Sequence, residues 1–333
     1  MKYKYQHKIS INEKTHCVGT THILSFMSVN NKSCLEDADI IYFDLHDFEA
    51  HGHKYQNVKK RIYIDSTYEL MESSVLKILS KYHNLSNVYY FYNPRSPSYC
   101  ADLVQNLKYK QLKLRPHHYF LTYANEYIPD YNLAPLPKKR FLCLTGKVNP
   151  YRTFLIALLS KHNLLEHGHV SYFGSDHYID DFCGLYNEED FEQVPWLSDN
   201  SKQFIRDEIK HISLPITADV DKFSSVMSHS RSFNAQLYKA VDFAIVPETF
   251  GCTVNEEFFP TEKTAKCILM NKKIIPVGSQ HFLKNLKNYY KRQFNEDISH
   301  LTDWCDTSYD DEPAVENRIK KVVELIASEV NNR

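Results

Sequence analysis

The sequence predicts an α/β protein made of two Rossmann-like domains facing a cleft. Short apolar runs alternate with stretches of helical periodicity along the chain, the pattern of strands joined by helices. One segment interrupts the alternation: residues 125–139 hold Pro129, Pro135 and Pro137 and show no clear periodicity, so they read as a linker. After it the alternation starts again. This places a first domain over 1–135 and a second over 136–333, with the last helix expected to pack back on the first.

In the first half, residues 40–43 and 61–64 read as buried strands, and a helix is predicted over 69–82 with Leu70, Val75, Leu76 and Leu79 on one face. A third strand covers 88–92 and ends in a breaker-rich loop at 93–97; residues 118–123 are a further strand candidate. In the second half, strands are predicted over 141–144, 170–173, 243–246 and 273–277. Helices are predicted from about Tyr151, from about Thr261 and over 313–330, while 175–200 reads as acidic and irregular.

Composition narrows the function. Of 333 residues, 43% are hydrophobic and 24% charged, which excludes a disordered chain, a collagen-like repeat and a coiled coil. No run of 18 apolar residues offers a membrane-spanning helix. The basic, polar start (Lys2, Lys4, Lys8) predicts no signal peptide. With 40 Lys and Arg against 41 Asp and Glu, no global charge draws the chain to nucleic acid or membrane. Eight dispersed cysteines, none in a Cys-x-x-Cys pair, predict reduced thiols and a cytoplasmic location. Only 8 glycines occur, with no Gly-x-Gly-x-x-Gly and no Walker pattern, so a phosphate site has to be built from basic side chains and helix N-termini.

The most informative stretch runs from 243 to 278. A buried strand delivers Glu248 and Thr249 to its C-terminal end, the edge where open α/β sheets bind ligands. Thr261 is an N-cap candidate, with Glu262 and Lys263 in the first helical turn. A carboxylate there can accept from sugar or ribose hydroxyls, and the lysine can meet a phosphate with help from the helix dipole. Adjacent on a helix, their side chains are expected to diverge by about 100°, one toward the sugar and the other toward the diphosphate. The alternative is two ordinary solvated first-turn charges.

Through Glu248, Thr249, Thr261, Glu262, Lys263, Pro276 and Gly278, this stretch resembles the donor-binding signature of α1,3-fucosyltransferase-like glycosyltransferases, including phage and large-virus relatives. The likeness covers roughly the last 200 residues and continues weakly into 282–284 and 306–310. It departs from the pattern at Thr249, where the family carries Asn, and in a short, glycine-poor first domain. The resemblance implies a GT-B fold, a nucleotide sugar held mainly by the second domain, and inversion at the transferred carbon.

Three further sets of residues are candidates. Lys147 and Arg152 stand at a strand–turn–helix mouth, suited to a diphosphate as a point charge and a bidentate donor. The resemblance supports that role for the arginine. An inverting transfer needs a general base, and Glu69, shortly after a strand, is the leading choice, with Asp65, Glu72, Asp44 and Asp47 as alternatives. The Asp37-x-Asp39 and Asp219-x-Asp221 pairs read as structural, and the histidine pairs lack metal-site companions, so no metal is predicted.

The expected function is glycosyl transfer from a nucleoside-diphosphate sugar to a hydroxyl acceptor, a glycan first, with Glu69 and Glu262 as catalytic residues. One alternative acceptor is a hydroxymethylated base in DNA, tracked by Lys59, Lys60 and Arg61, by Lys108, Lys110, Lys113 and Arg115, and by Lys138, Lys139 and Arg140. The other alternative is a non-catalytic sugar-binding module of the same fold.

Overall fold

The structure, a computed structural model, describes residues 9–11, 13–18, 27–29, 32–66, 78–82, 85–92, 113–116, 128–145, 149–172, 194–213, 216, 218, 232–248 and 258–331. The chain divides into two compact units, Met1–Asn125 and Glu126–Arg333.

The first unit carries β1 (Ile9–Ile11), β2 (Thr15–Cys17), β3 (Met27–Val29), β4 (Ile40–Asp44), β5 (Arg61–Ser66), β6 (Val88–Tyr92) and β7 (Lys113–Pro116), with α1 (Leu45–His51) following β4. β1 and β3 pair with each other; the rest form one sheet in the order β2-β4-β5-β6-β7. Every pairing is parallel. Residues of β4 are buried throughout, as an interior parallel strand requires. One face (Ile41, Phe43, Ile62, Ile64, Val88 and Tyr90) packs with Leu45 and Phe48 of α1 in a common core. The other face is aromatic: the Tyr63 ring lies 4.9 Å from that of Tyr89 and 5.5 Å from that of Phe91.

In the second unit, β8 (Ile128–Asp130) precedes β9 (Lys139–Leu144), α2 (Pro150–Lys161), β10 (Gly168–Ser171) and α3 (Asp199–Ile209). Then come β11 (Ser232–Asn234), α4 (Ala235–Lys239), β12 (Val241–Pro247), α5 (Glu262–Leu269) and β13 (Lys273–Val277). The unit ends with α6 (Phe282–Phe294), α7 (Ser299–Thr302) and α8 (Val315–Asn331). The main sheet is parallel, in the order β10-β9-β12-β13. Its order reverses: from β9 the chain moves outward to β10, then returns to β12 on the other side and continues to β13. Right-handed crossovers then put α2 and α5 on opposite faces. One core joins Phe141, Cys143, Phe243, Ile245, Ile275 and Val277 to α2 and α8. On the opposite side Leu142, Ala244, Val246 and Ile274 are equally buried, as are Ala265 and Ile268 of α5.

The architecture is therefore α/β with parallel sheets. Two expectations need correction. Residues 128–130, read as linker, form β8, which pairs in parallel with β11. The stretch read as irregular up to residue 200 ends in α3, whose Ser198 side chain caps the helix. The strand near 118 lies outside the described residues; β7 immediately precedes it. Residues 69–77 of the helix expected over 69–82 also lie outside them. The last helix buries Val322, Val323 and Ile326 in the core of its own unit.

Candidate functional site

The reversal of strand order falls between β9 and β12, and the C-terminal ends of these two strands are where a doubly wound sheet opens a crevice. Two helix N-termini belong to that edge. α2 begins just after β9: Asn149 caps it, its Oδ1 accepting from the Arg152 N–H at 3.0 Å, and Pro150 fills the first turn, where no donor is needed. α5 follows β12, and Thr261 caps it by accepting from the Lys263 N–H at 3.3 Å. Both ends present partial positive charge to the crevice.

Glu248, the first residue after β12, ties the end of β12 to β13 and to the start of α5. It is 1% exposed. Its N–H donates to the Val277 carbonyl at 3.0 Å, which extends the β12–β13 ladder by one bond. Its carboxylate accepts from the Thr261 N–H at 3.1 and 3.2 Å and from the hydroxyls of Thr261 and Thr264. Burial pushes the Glu248 carboxyl above its ordinary range, against the opposing pull of Lys263 and the threonine donors. In the structure the oxygens of this ligand candidate accept from the start of α5.

Arg152 is 2% exposed. Its guanidinium donates to the Pro247 carbonyl at 3.0 Å and to the Tyr151 hydroxyl at 3.2 Å, so it pins α2 to the end of β12. Burial works against its charge, and Tyr151, Glu262 and Glu248 more than restore it. Glu262 and Lys263 do not diverge as expected. Lys263 Nζ donates to Glu262 Oε1 at 2.8 Å, with the side chains 22% and 26% exposed. Burial opposes ionisation of Glu262, but Lys263 and Lys266 outweigh it and lower its carboxyl to about 2.

The outlying pieces of the motif meet nearby. Gly278 follows β13 and lies against Phe282: a Cβ there would lie 2.6 Å from the ring, so glycine is needed there. Asp310, 6% exposed, accepts from the N–H groups of Leu283 and Lys284 at 3.0 and 3.2 Å. It thus supplies α6 with the cap that His281, in a left-handed conformation, does not. Burial raises the Asp310 carboxyl. These residues hold the site's frame rather than line it.

In the first unit, Asp44 and Asp65 stand side by side at the C-terminal ends of β4 and β5, at 1% and 0% exposure. Asp44 Oδ1 caps α1 by accepting from the Asp47 N–H at 2.8 Å, and Asp65 Oδ2 accepts from the Tyr42 hydroxyl at 2.8 Å. Asp44 Oδ2 is buried with no hydrogen-bond partner among the described residues. Glu69, Glu72, Lys147, Thr249, Asp219 and Asp221 lie outside the described residues. Asp37 and Asp39 precede β4, at the opposite edge of the sheet.

Several basic residues named for a DNA surface are already engaged. Lys60 Nζ donates to the Glu36 and Ala38 carbonyls at 2.8 and 2.5 Å, Lys138 Nζ donates to the Lys239 carbonyl, and Arg140 pairs with Asp242. Among the described residues, no group of three or more His, Cys, Asp or Glu could hold a metal ion. No described helix is long and apolar enough to cross a membrane.

No protein-family model matches the chain, and a search of curated proteins finds no match.

Proposed function

We propose that the protein is an inverting glycosyltransferase of GT-B type, moving a sugar from a nucleoside-diphosphate sugar to a hydroxyl of a glycan. The observation that carries this reading is the convergence of two capped helix N-termini, Arg152, Lys263 and Glu262 on the one strand reversal of the second unit's main sheet. Such a crevice meets two phosphates with donors and positive charge, without a glycine-rich loop. The resemblance of the stretch from Glu248 to Gly278 points to the same ligand.

In this reading Lys263 and the positive end of the α5 dipole take the charge that develops on the leaving diphosphate. Arg152 is a fixed buried charge beside them. Glu262 accepts from ribose or sugar hydroxyls and supports the positive charge forming at the sugar carbon. Glu69, in the first unit, removes the acceptor proton, and no metal ion takes part.

A panel of UDP-, GDP-, CMP- and dTDP-sugars tests this. A cognate donor at about 100 times its Kd adds about 2.7 kcal/mol of stability and raises the Tm. Transfer to a glycan acceptor should continue in EDTA. No shift with any donor overturns the reading.

A further inference from the structure

Neighbouring residues on a helix do not face each other, because their side chains leave the axis about 100° apart. Glu262 and Lys263 nevertheless meet at 2.8 Å. Both side chains must turn toward one point at the open end of α5. That point is crowded with positive charge: Lys263 in contact, with Lys266 and Arg152 close enough to act on Glu262. The other carboxylate there, Glu248, already accepts from Thr261 and Thr264. The anion held by the cations of the crevice is thus the protein's own Glu262.

We infer that Glu262 is a specificity-determining residue, which keeps the Lys263 anion position filled so that a bare phosphate or pyrophosphate must expel a carboxylate and leave it unpaired. The inference rests on the reading of this crevice as a diphosphate site. A bare anion gains Lys263 but strands Glu262 beside a new negative charge. A nucleotide sugar gains the same lysine and also brings hydroxyls that donate to the freed carboxylate. Discrimination therefore comes from a penalty built against the wrong ligand as well as from contacts with the right one.

Calorimetry with inorganic pyrophosphate, and with the sugar nucleotide that gives the largest stabilisation, tests this on the full chain. Glu262→Gln keeps shape and removes the charge. It should bind pyrophosphate about tenfold more tightly than the unaltered protein, while sugar-nucleotide affinity does not rise, so that selectivity collapses. Glu262→Asp, which draws the carboxylate back by one methylene, should show a smaller gain in the same direction. Adding Lys263→Met to Glu262→Gln should abolish the gain. Unchanged or weaker pyrophosphate binding by both Glu262 variants overturns the inference, as does an equal gain for the sugar nucleotide or a gain that survives loss of Lys263. If the unaltered protein and all variants bind neither pyrophosphate nor any sugar nucleotide, the proposed function falls with it.

Discussion

Both units are built on parallel sheets, yet the order of strands differs. In the first, β2-β4-β5-β6-β7 advances in one direction among the described strands; in the second, β10-β9-β12-β13 reverses between β9 and β12. The reversal splits the connections to the two faces and leaves a crevice at the strand ends. The side chains follow suit. At the reversal, Glu262 and Lys263 are each about one quarter exposed. At the first unit's edge, Asp44 and Asp65 are buried and engaged with α1 and Tyr42. Acidic residues at a strand end are therefore weak indicators of a site; the strand order around them tells more.

The largest expected effect is at Arg152. Replacing it by Met removes the donors to the Pro247 carbonyl and the Tyr151 hydroxyl, and a buried positive charge near Glu248 and Glu262. Unfolding in urea should show a loss of about 3 kcal/mol, the upper range for buried hydrogen bonds made by a charged group. A loss below about 0.5 kcal/mol would mean that the reversal needs no internal charge to hold it.

Next comes Glu316, a second hydrogen-bonded carboxylate of the same unit, which serves as a control for its electrostatics. It accepts from Lys320 Nζ at 2.6 Å, from the Ser198 N–H at 2.8 Å and from the Ser201 hydroxyl at 2.7 Å, joining α8 to the start of α3. Burial would raise its carboxyl, but Lys320 and the Ser198 and Ser201 donors outweigh burial and lower it to about 2 from an ordinary 4.5. A depressed carboxylate stabilises the fold above its unfolded pKa and loses that contribution as pH falls through the folded value. Glu316→Gln should cost about 2 kcal/mol at pH 7. The gap between variant and parent should close as pH drops from about 4.5 toward about 2. Sugar-nucleotide affinity should not change. A gap independent of pH in denaturation curves would show that the charge of Glu316 contributes nothing.

The smallest effect belongs to the first unit. Asp44→Asn keeps an oxygen for the Asp47 N–H, and Asn caps helices as well as Asp does. Stability should move by less than about 1 kcal/mol, and sugar-nucleotide binding should stay unchanged in calorimetry. Loss of that binding would break the contrast between the two edges.

Much of this fold is legible in the chain because its main strands are apolar runs of four or more residues, as in 40–44, 139–144 and 241–247. Three-residue strands such as β8 and β11 carry too few positions to show a period, and Pro129 inside β8 argued for a linker. α3 was hidden because its sequence, DNSKQFIRDEI, has only Phe204, Ile205 and Ile209 as apolar residues. In the site, Thr261, Glu262 and Lys263 were legible as a cap and first turn, since those signals are local. The roles of Glu248 and Asp310 were not. Glu248 is satisfied by residues 13 and 16 positions later, and Asp310 caps a helix 26 and 27 positions earlier. The burial of Arg152 is not legible either, because position in a helix's first turn says nothing of burial.

In the proposed function the strand reversal of the second unit holds a diphosphate through Lys263. Calorimetric titration of the cognate nucleoside-diphosphate sugar into the unaltered protein and into Lys263→Met should show binding to the first and affinity weakened at least about tenfold in the second, consistent with loss of a charged hydrogen bond of about 1.5–3 kcal/mol. Equal affinity in both, with the variant folded, would contradict it.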